Sequence, residues 1–183
     1  EYIMSRNGVD FIPSSMMLSA VDSKLRMEMG SEKMLAGILE PLRELYDYII
    51  VDTCPSLGSL TVNALTAADE VIIAVNPQLL AMMGLQDFIR TVKKVRSRLN
   101  ERLSIAGILL TMCDVRTNLC KAITEQLVET FEGQIWIFKS TIPNTVKVGE
   151  SIYYSEPLLE YAPESKVCRA YQNLAGEVDG YES

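Results

Sequence analysis

Three short runs of uninterrupted apolar residues constrain this chain most: Tyr48 to Val51 within "YIIVD", 71–75 "VIIAV" and 105–112 "IAGILLTM". A shorter run, "IWIF" at 135–138, is a fourth. A strand with one wet face alternates apolar and polar residues, whereas a continuous run marks a strand covered on both faces. Between these runs the period changes to that of a helix. Leu85, Phe88, Ile89, Val92, Val95 and Leu99 share one face, as do Ile123, Leu127, Val128 and Phe131, and then Val167, Ala170, Tyr171, Leu174 and Val178. Buried strands alternating with helices predict βαβ units. The expectation is an α/β fold: a mostly parallel sheet with helices on both faces, three layers in all. At 183 residues, the span 1–183 reads as a single α/β domain.

The flanking segments are less regular. "GVDFIP" (8–13) predicts a short strand stopped by Pro13, and 14–30 a helix opened by serines and closed by Gly30. Residues 31–45 predict a helix that Pro41 kinks or restarts. Residues 60–68 continue the helical pattern after the first apolar run. The stretch 141–165 holds three prolines and predicts a long irregular connection.

Composition excludes several classes. The net charge of −7 argues against a surface coated for nucleic acid, while leaving room for a local basic patch. Cys54, Cys113, Cys120 and Cys168 form no C-x-x-C pair and there is no histidine, so a zinc site is not expected. Scattered cysteines suit buried thiols in a reducing cytoplasm. No apolar run approaches the roughly 20 residues of a membrane span, and the first residues do not read as a signal peptide.

Asp52 closes the first apolar run, where an α/β fold places its ligands. Spacing alone leaves two roles open. It can cap the helix of a βα turn, or it can hold the magnesium of a nucleotide through water. The following Thr53, Cys54, Pro55, Ser56, Leu57 and Gly58 form a stiff turn before the helical run.

The longer string "YDYIIVDTCPSLGSLTVNALTAADEVIIAV" (46–75) resembles the Walker B and switch II region of ParA/Soj-type chromosome or plasmid partitioning ATPases, of the deviant-Walker P-loop family. The family form has a proline where Cys54 stands. "GVDFIPSSMMLS", "PQLLAMMGLQDF", "GILLTMCDVRTNL", "STIPNTVKVGES" and "PLLEYAPESKVCRAYQNLAGEV" resemble further family segments in order. The family's glycine-rich phosphate loop with its lysines has no counterpart, since the chain contains neither Gly-Lys-Thr nor Gly-Lys-Ser. The resemblance therefore covers the C-terminal two-thirds of such an ATPase. It implies a P-loop NTPase-like domain truncated at its N-terminus, with the phosphate-loop unit absent.

The resemblance also implies roles. Asp52 becomes the Walker B carboxylate, holding magnesium through water, with Thr53, Cys54, Pro55, Ser56 and Gly58 in switch II. Thr111, Met112 and Asp114 stand near the adenine, with Ile142, Pro143 and Asn144 in the other adenine-side loop; Asn144 replaces the usual arginine. Arg116 and Lys147 stand where the family contacts non-specific DNA as an ATP-loaded homodimer. Lys147 replaces an arginine. ATP and magnesium are the cofactors implied for the intact protein, with none expected on this chain alone, which is predicted inactive by itself. The implied partners are DNA, a centromere-binding protein and a second copy, in a nucleoid-associated cytoplasmic setting and at no membrane.

Two other functions compete. A non-catalytic dimerisation or partner-binding module would explain the missing phosphate loop. A MinD-like membrane ATPase needs a basic amphipathic end, whereas this chain ends in "NLAGEVDGYES", which is acidic and short of bulky apolar residues. Separately, Arg90, Lys93, Lys94 and Arg98 lie opposite the apolar face of their helix, with Arg96 and Arg102 nearby. That face reads as an ordinary solvated surface or as an additional phosphate-binding stripe.

Overall fold

A hairpin opens the described chain. Strands β1 (Met4–Arg6) and β2 (Val9–Phe11) pair antiparallel, with Met4 opposite Phe11. The two residues between them, Asn7 and Gly8, both take positive φ (52° and 77°), as a tight hairpin turn demands. The expected single strand over 8–13 is thus the second arm of a hairpin, whose first arm, Met-Ser-Arg, carries no periodic signal. The computed structural model describes residues 3–54, 56–114 and 116–181. It divides into two compact units, residues 1–68 with 98–100, and residues 69–97 with 101–183.

The first unit continues with helices α1 (Leu18–Leu25), α2 (Met34–Leu39) and α3 (Ser59–Ala67). The helix expected over 14–30 shortens to α1, and Ser14 and Ser15 do not cap it. The helix expected over 31–45 breaks into a 3-10 turn (Ser31–Lys33), α2, and a second 3-10 turn (Glu40–Leu42) with Pro41 in its first turn. Proline lacks the donor a continuing helix needs, so the chain restarts there. Helix α3 is the centre of the unit, with Thr61, Asn63, Ala64, Leu65, Thr66 and Ala67 buried. Its polar groups are satisfied: Asn63 Oδ1 accepts from the Leu35 amide at 3.2 Å, and Thr66 Oγ1 donates to the Val62 carbonyl at 2.7 Å. Its last carbonyls receive Asn100 Nδ2, at 2.6 Å from Ala68 O, and Arg43 Nη2, at 2.9 Å from Ala67 O.

The apolar run 48–51 departs from expectation. It takes no regular secondary structure, among the described residues no strand pairs with it, and Ile50 is 91% exposed. The composition calls for a strand covered on both faces, and a strand forms only where a neighbouring strand takes up its backbone hydrogen bonds.

The second unit supplies the sheet. Strands β3 (Glu70–Val75), β4 (Ser104–Cys113) and β5 (Ile137–Pro143) lie in the order β3-β4-β5, all parallel. Helix α4 (Leu79–Arg98) connects the first two and α5 (Asn118–Phe131) the second two. Strand β4 contributes to two cores, its alternation reset where the register with β3 slips between Ile105 and Gly107. Ile108 and Leu110 pack with Leu85 and Ile89 of α4 and with Cys120, Leu127 and Phe131 of α5. Ala106 and Leu109 pack on the opposite face with Phe138, Ile142 and Val167, the last from α8 (Lys166–Tyr181). Helices therefore cover both faces, giving the three-layer parallel α/β arrangement that the apolar runs predict.

The stretch 141–165 is not an irregular connection. It contains the end of β5, then α6 (Val146–Tyr154) and α7 (Leu158–Tyr161). The prolines fall at boundaries: Pro143 ends β5 and Pro157 precedes α7. Thr145 caps α6 by accepting from the Lys147 amide at 3.3 Å, and Ser155 ends it at positive φ.

Two details of the sheet yield tests. A Cβ on Gly107 would lie 2.8 Å from the Phe138 ring and 2.9 Å from the Trp136 carbonyl oxygen. The Gly107→Ala variant is expected to lose about 1–3 kcal/mol of stability in urea unfolding; an unchanged midpoint would refute the close approach. The second is Glu177 of α8, which accepts from the Lys139 amide at 2.8 Å and the Ser140 amide at 2.7 Å, covering donors on β5. Burial raises its pKa, but the hydrogen bonds from Ser140 and Lys139 outweigh that and hold it below the ordinary 4.5. A depressed folded pKa gives stability that is full above the unfolded value and lost as pH falls through the folded value. Glu177→Ala is expected to cost about 1–2 kcal/mol at pH 7, with the gap to wild type shrinking as unfolding is repeated below pH 4.

Candidate functional site

Asp52 ends the apolar run of the first unit with its side chain exposed, and among the described residues it has no hydrogen bond or ion pair. The loop beyond it is anchored at its far end. Thr61 Oγ1 donates to the Ser56 carbonyl at 2.5 Å, and Cys54 Sγ lies 3.1 Å from Ser56 Oγ. That hydroxyl and the Ser56 backbone lower the Cys54 pKa. Cys54 is the one exposed cysteine, while Cys113, Cys120 and Cys168 are buried. Thr53 is exposed, and Pro55 lies outside the described residues.

Gly58 is the N-cap residue of α3 and has no side chain to satisfy the helix's first amides. Asp22 of α1 does this instead: its Oδ1 accepts from the Leu60 amide at 3.3 Å while Oδ2 pairs with Arg26 at 2.7 Å. A Cβ on Gly58 would stand 3.1 Å from Asp22 Oδ1. The Arg26 guanidinium holds the Asp22 carboxyl below the usual carboxylate range. Asp22 was not foreseen from the sequence, because the donor it serves lies 38 residues away; only its i,i+4 spacing to Arg26 was readable.

The second unit brings the other predicted residues to one rim. Cys113 and Pro143 are register partners at the carboxyl ends of β4 and β5, and the Asn144 amide donates to the Cys113 carbonyl at 3.0 Å. Thr111, Met112 and Asp114 therefore sit beside Pro143 and Asn144. Met112 has φ of 55° and is 56% exposed. A non-glycine residue held there costs about 1–3 kcal/mol, and such residues concentrate at functional sites. Below the rim, burial and the neighbouring Cys120 push the Cys113 thiol up to about 12.

Asp114 and Arg116 form a bidentate pair. Arg116 Nε lies 2.8 Å from Oδ1 and Nη2 lies 2.9 Å from Oδ2, and the Arg116 amide also donates to Oδ1. This guanidinium holds Asp114 at about 2. Thr117 Oγ1 donates to the Asp114 carbonyl and accepts from the Cys120 amide, tying the turn to the start of α5. Lys147, in the first turn of α6, is also engaged. Its Nζ lies 2.9 Å from Glu150 Oε2 and 5.6 Å from the Tyr161 ring centre, and Tyr161 donates to the same Glu150 oxygen at 3.0 Å. Glu150 and Tyr161 carry no sequence signal that would have singled them out.

The donor set fits magnesium on one condition. Among the described residues no group of three or more His, Cys, Asp or Glu could hold a metal. An exposed, unengaged carboxylate such as Asp52 suits a hydrated magnesium whose other ligands are water and phosphate. Among the described residues no helix is long and apolar enough to cross a membrane.

Comparison with known proteins places these features in context. A family model described as an AAA domain matches residues 1–105. The chain is 39% identical over 170 residues to the sporulation initiation inhibitor protein Soj of Bacillus subtilis, covering 93% of this chain and 66% of that protein. It is 36% identical over 167 residues to the chromosome partitioning protein ParA of Myxococcus xanthus, covering 91% of this chain and 58% of that one. The chain thus spans less than two thirds of the length of these relatives. Among solved structures, cobyrinic acid a,c-diamide synthase from Mycobacterium smegmatis with bound ADP and magnesium superposes with a TM-score of 0.79 at 28% identity, over 96% of this chain and 64% of that one. The cell division ATPase MinD of Pyrococcus furiosus shares the fold, with a TM-score of 0.75 at 20% identity over 98% of this chain and 69% of that one. On this evidence the chain belongs to the ParA/Soj-type partitioning ATPase family, with a P-loop NTPase-like α/β fold.

Proposed function

We propose that this chain supplies the Walker B, switch and base-side parts of an ATP-hydrolysing protein that positions DNA. The observation that carries this reading is the rim where β4 and β5 end, held by the Asn144–Cys113 hydrogen bond. It gathers Thr111, Met112 and Asp114 beside Pro143 and Asn144, a mixed apolar and polar edge suited to a purine base. We take 1–183 as one part of a longer α/β domain. The phosphate loop, absent from these 183 residues, would come from sequence ahead of them, as would a strand to pair with 48–51. The exposure of Ile50 and the 66% share of Soj support that reading.

Magnesium, when bound, would neutralise charge developing on the transferred phosphoryl group. Asp52 would accept hydrogen bonds from its water shell. The loop from Thr53 through Cys54, Pro55 and Ser56 to Gly58 would report the nucleotide's state to α3 through the Thr61–Ser56 contact. Arg116 and Lys147 would bind DNA phosphates without regard to sequence, each exchanging its own carboxylate, Asp114 or Glu150, for a phosphate oxygen. A second copy and a centromere-binding protein would complete the cycle, in the cytoplasm at the nucleoid.

Hydrolysis separates this reading from a non-catalytic module. The 183-residue chain alone is expected to turn over ATP no faster than a blank. The longer natural protein is expected to hydrolyse it, and Asp52→Asn to lower kcat by about a hundredfold or more. Asp52-dependent turnover by the 183-residue chain, or an unaffected Asp52→Asn protein, would overturn the proposal.

A further inference from the structure

We infer that the outward face of α4 is a second surface for the phosphate backbone of duplex DNA, separate from Arg116 and Lys147. The inference deepens the function proposed above and rests on it for the choice of DNA as the polyanion.

Helix α4 turns Leu85, Ile89, Val92 and Val95 into the core. Its exposed positions from Gln86 to Arg98 are Gln86, Asp87, Arg90, Lys93, Lys94, Arg96, Ser97 and Arg98. Five of these eight are cations, in a chain whose net charge is −7. Only Arg90 has a counter-charge, Asp87 at 2.9 Å; among the described residues no acidic side chain pairs with Lys93, Lys94 or Arg96. By contrast, Arg116 and Lys147 are both ion-paired.

Spacing makes the arrangement costly for the helix itself. Arg90 and Lys93, Arg90 and Lys94, and Lys93 and Arg96 are three or four residues apart, so their Cβ atoms lie about 5–6 Å apart and their like charges repel. A polyanion laid along the face relieves that repulsion and releases its own counterions. These eight positions carry no aliphatic or aromatic side chain, and Met83, one turn before them, is an isolated exposed apolar residue. A helix that settles into an anionic bilayer needs bulky apolar residues beside its cations, and a peptide-binding face needs apolar anchors. Duplex backbone needs neither, because charge and hydrogen-bonding groups suffice.

The test compares the full chain with a Lys93→Gln, Lys94→Gln, Arg96→Gln variant and with Arg116→Ala. Glutamine keeps helix propensity close to that of lysine and arginine, so the thermal midpoint is expected to hold or rise. Binding to a fluorescent duplex of arbitrary sequence is read by anisotropy from about 50 to 200 mM salt, where each lost phosphate contact lowers the log–log slope by about 0.9. The triple variant is expected to lose at least about tenfold in affinity at low salt and two to three units of slope. Arg116→Ala is expected to lose about one unit. Wild-type affinity and slope in the triple variant would overturn the inference. So would wild-type chain that binds phosphatidylglycerol vesicles but not the duplex. Neither readout depends on ATP turnover, so failure here and failure of the Asp52 test are distinguishable.

Discussion

The pairing of β4 between β3 and β5 is the interaction on which everything else in the second unit rests. Ile108 is fully buried on one face of this strand and Leu109 nearly so on the other, so a single strand anchors two cores. Burying each such side chain contributes about 1.5–3 kcal/mol. The same pairing demands a glycine at 107, where the Trp136 carbonyl just ahead of β5 and the Phe138 ring leave no room for a side chain. It also sets the register that brings Cys113 opposite Pro143, and that register, rather than any property of the loops, creates the rim. Site and stability are thus consequences of one strand pairing.

Two cations that follow the strand ends are held in ion pairs. Arg116 and Lys147 are both charged and exposed, yet each is held by a carboxylate of its own. Exposed pairs of this kind contribute little to stability. On α4, Arg90 pairs with Asp87, whereas among the described residues Lys93, Lys94 and Arg96 have no such partner. The molecule therefore presents two electrostatic states: engaged cations near the strand ends and unengaged ones along a helix. In the first unit, Asp22 has the converse role, a carboxylate lent to a helix whose N-cap is a glycine with no side chain to serve its first amides.

Much of this was legible in the residues. The apolar runs at 71–75 and 105–112 became β3 and β4, and the helical stripes became α4, α5 and α8, because burial on both faces leaves an unmistakable pattern. The Asp114–Asn144 neighbourhood followed from resemblance, since strand register cannot be read from one strand alone. The run 48–51 was misread as a finished strand because composition records a need for burial, not the presence of a neighbour. The helices α6 and α7 were hidden by prolines that mark boundaries rather than disorder. Asp22 and Glu177 were invisible for a shared reason: each serves backbone amides that lie 37 or 38 residues away in sequence.

The measurement that bears most directly on the central claim is photolabelling of the longer natural protein with an azido-adenine analogue of ATP in magnesium, followed by peptide mapping. The account predicts label in peptides that contain Thr111 to Asp114 or Pro143 and Asn144, competed away by unlabelled ATP. Competable label confined to other segments, with this rim unmodified, would contradict it.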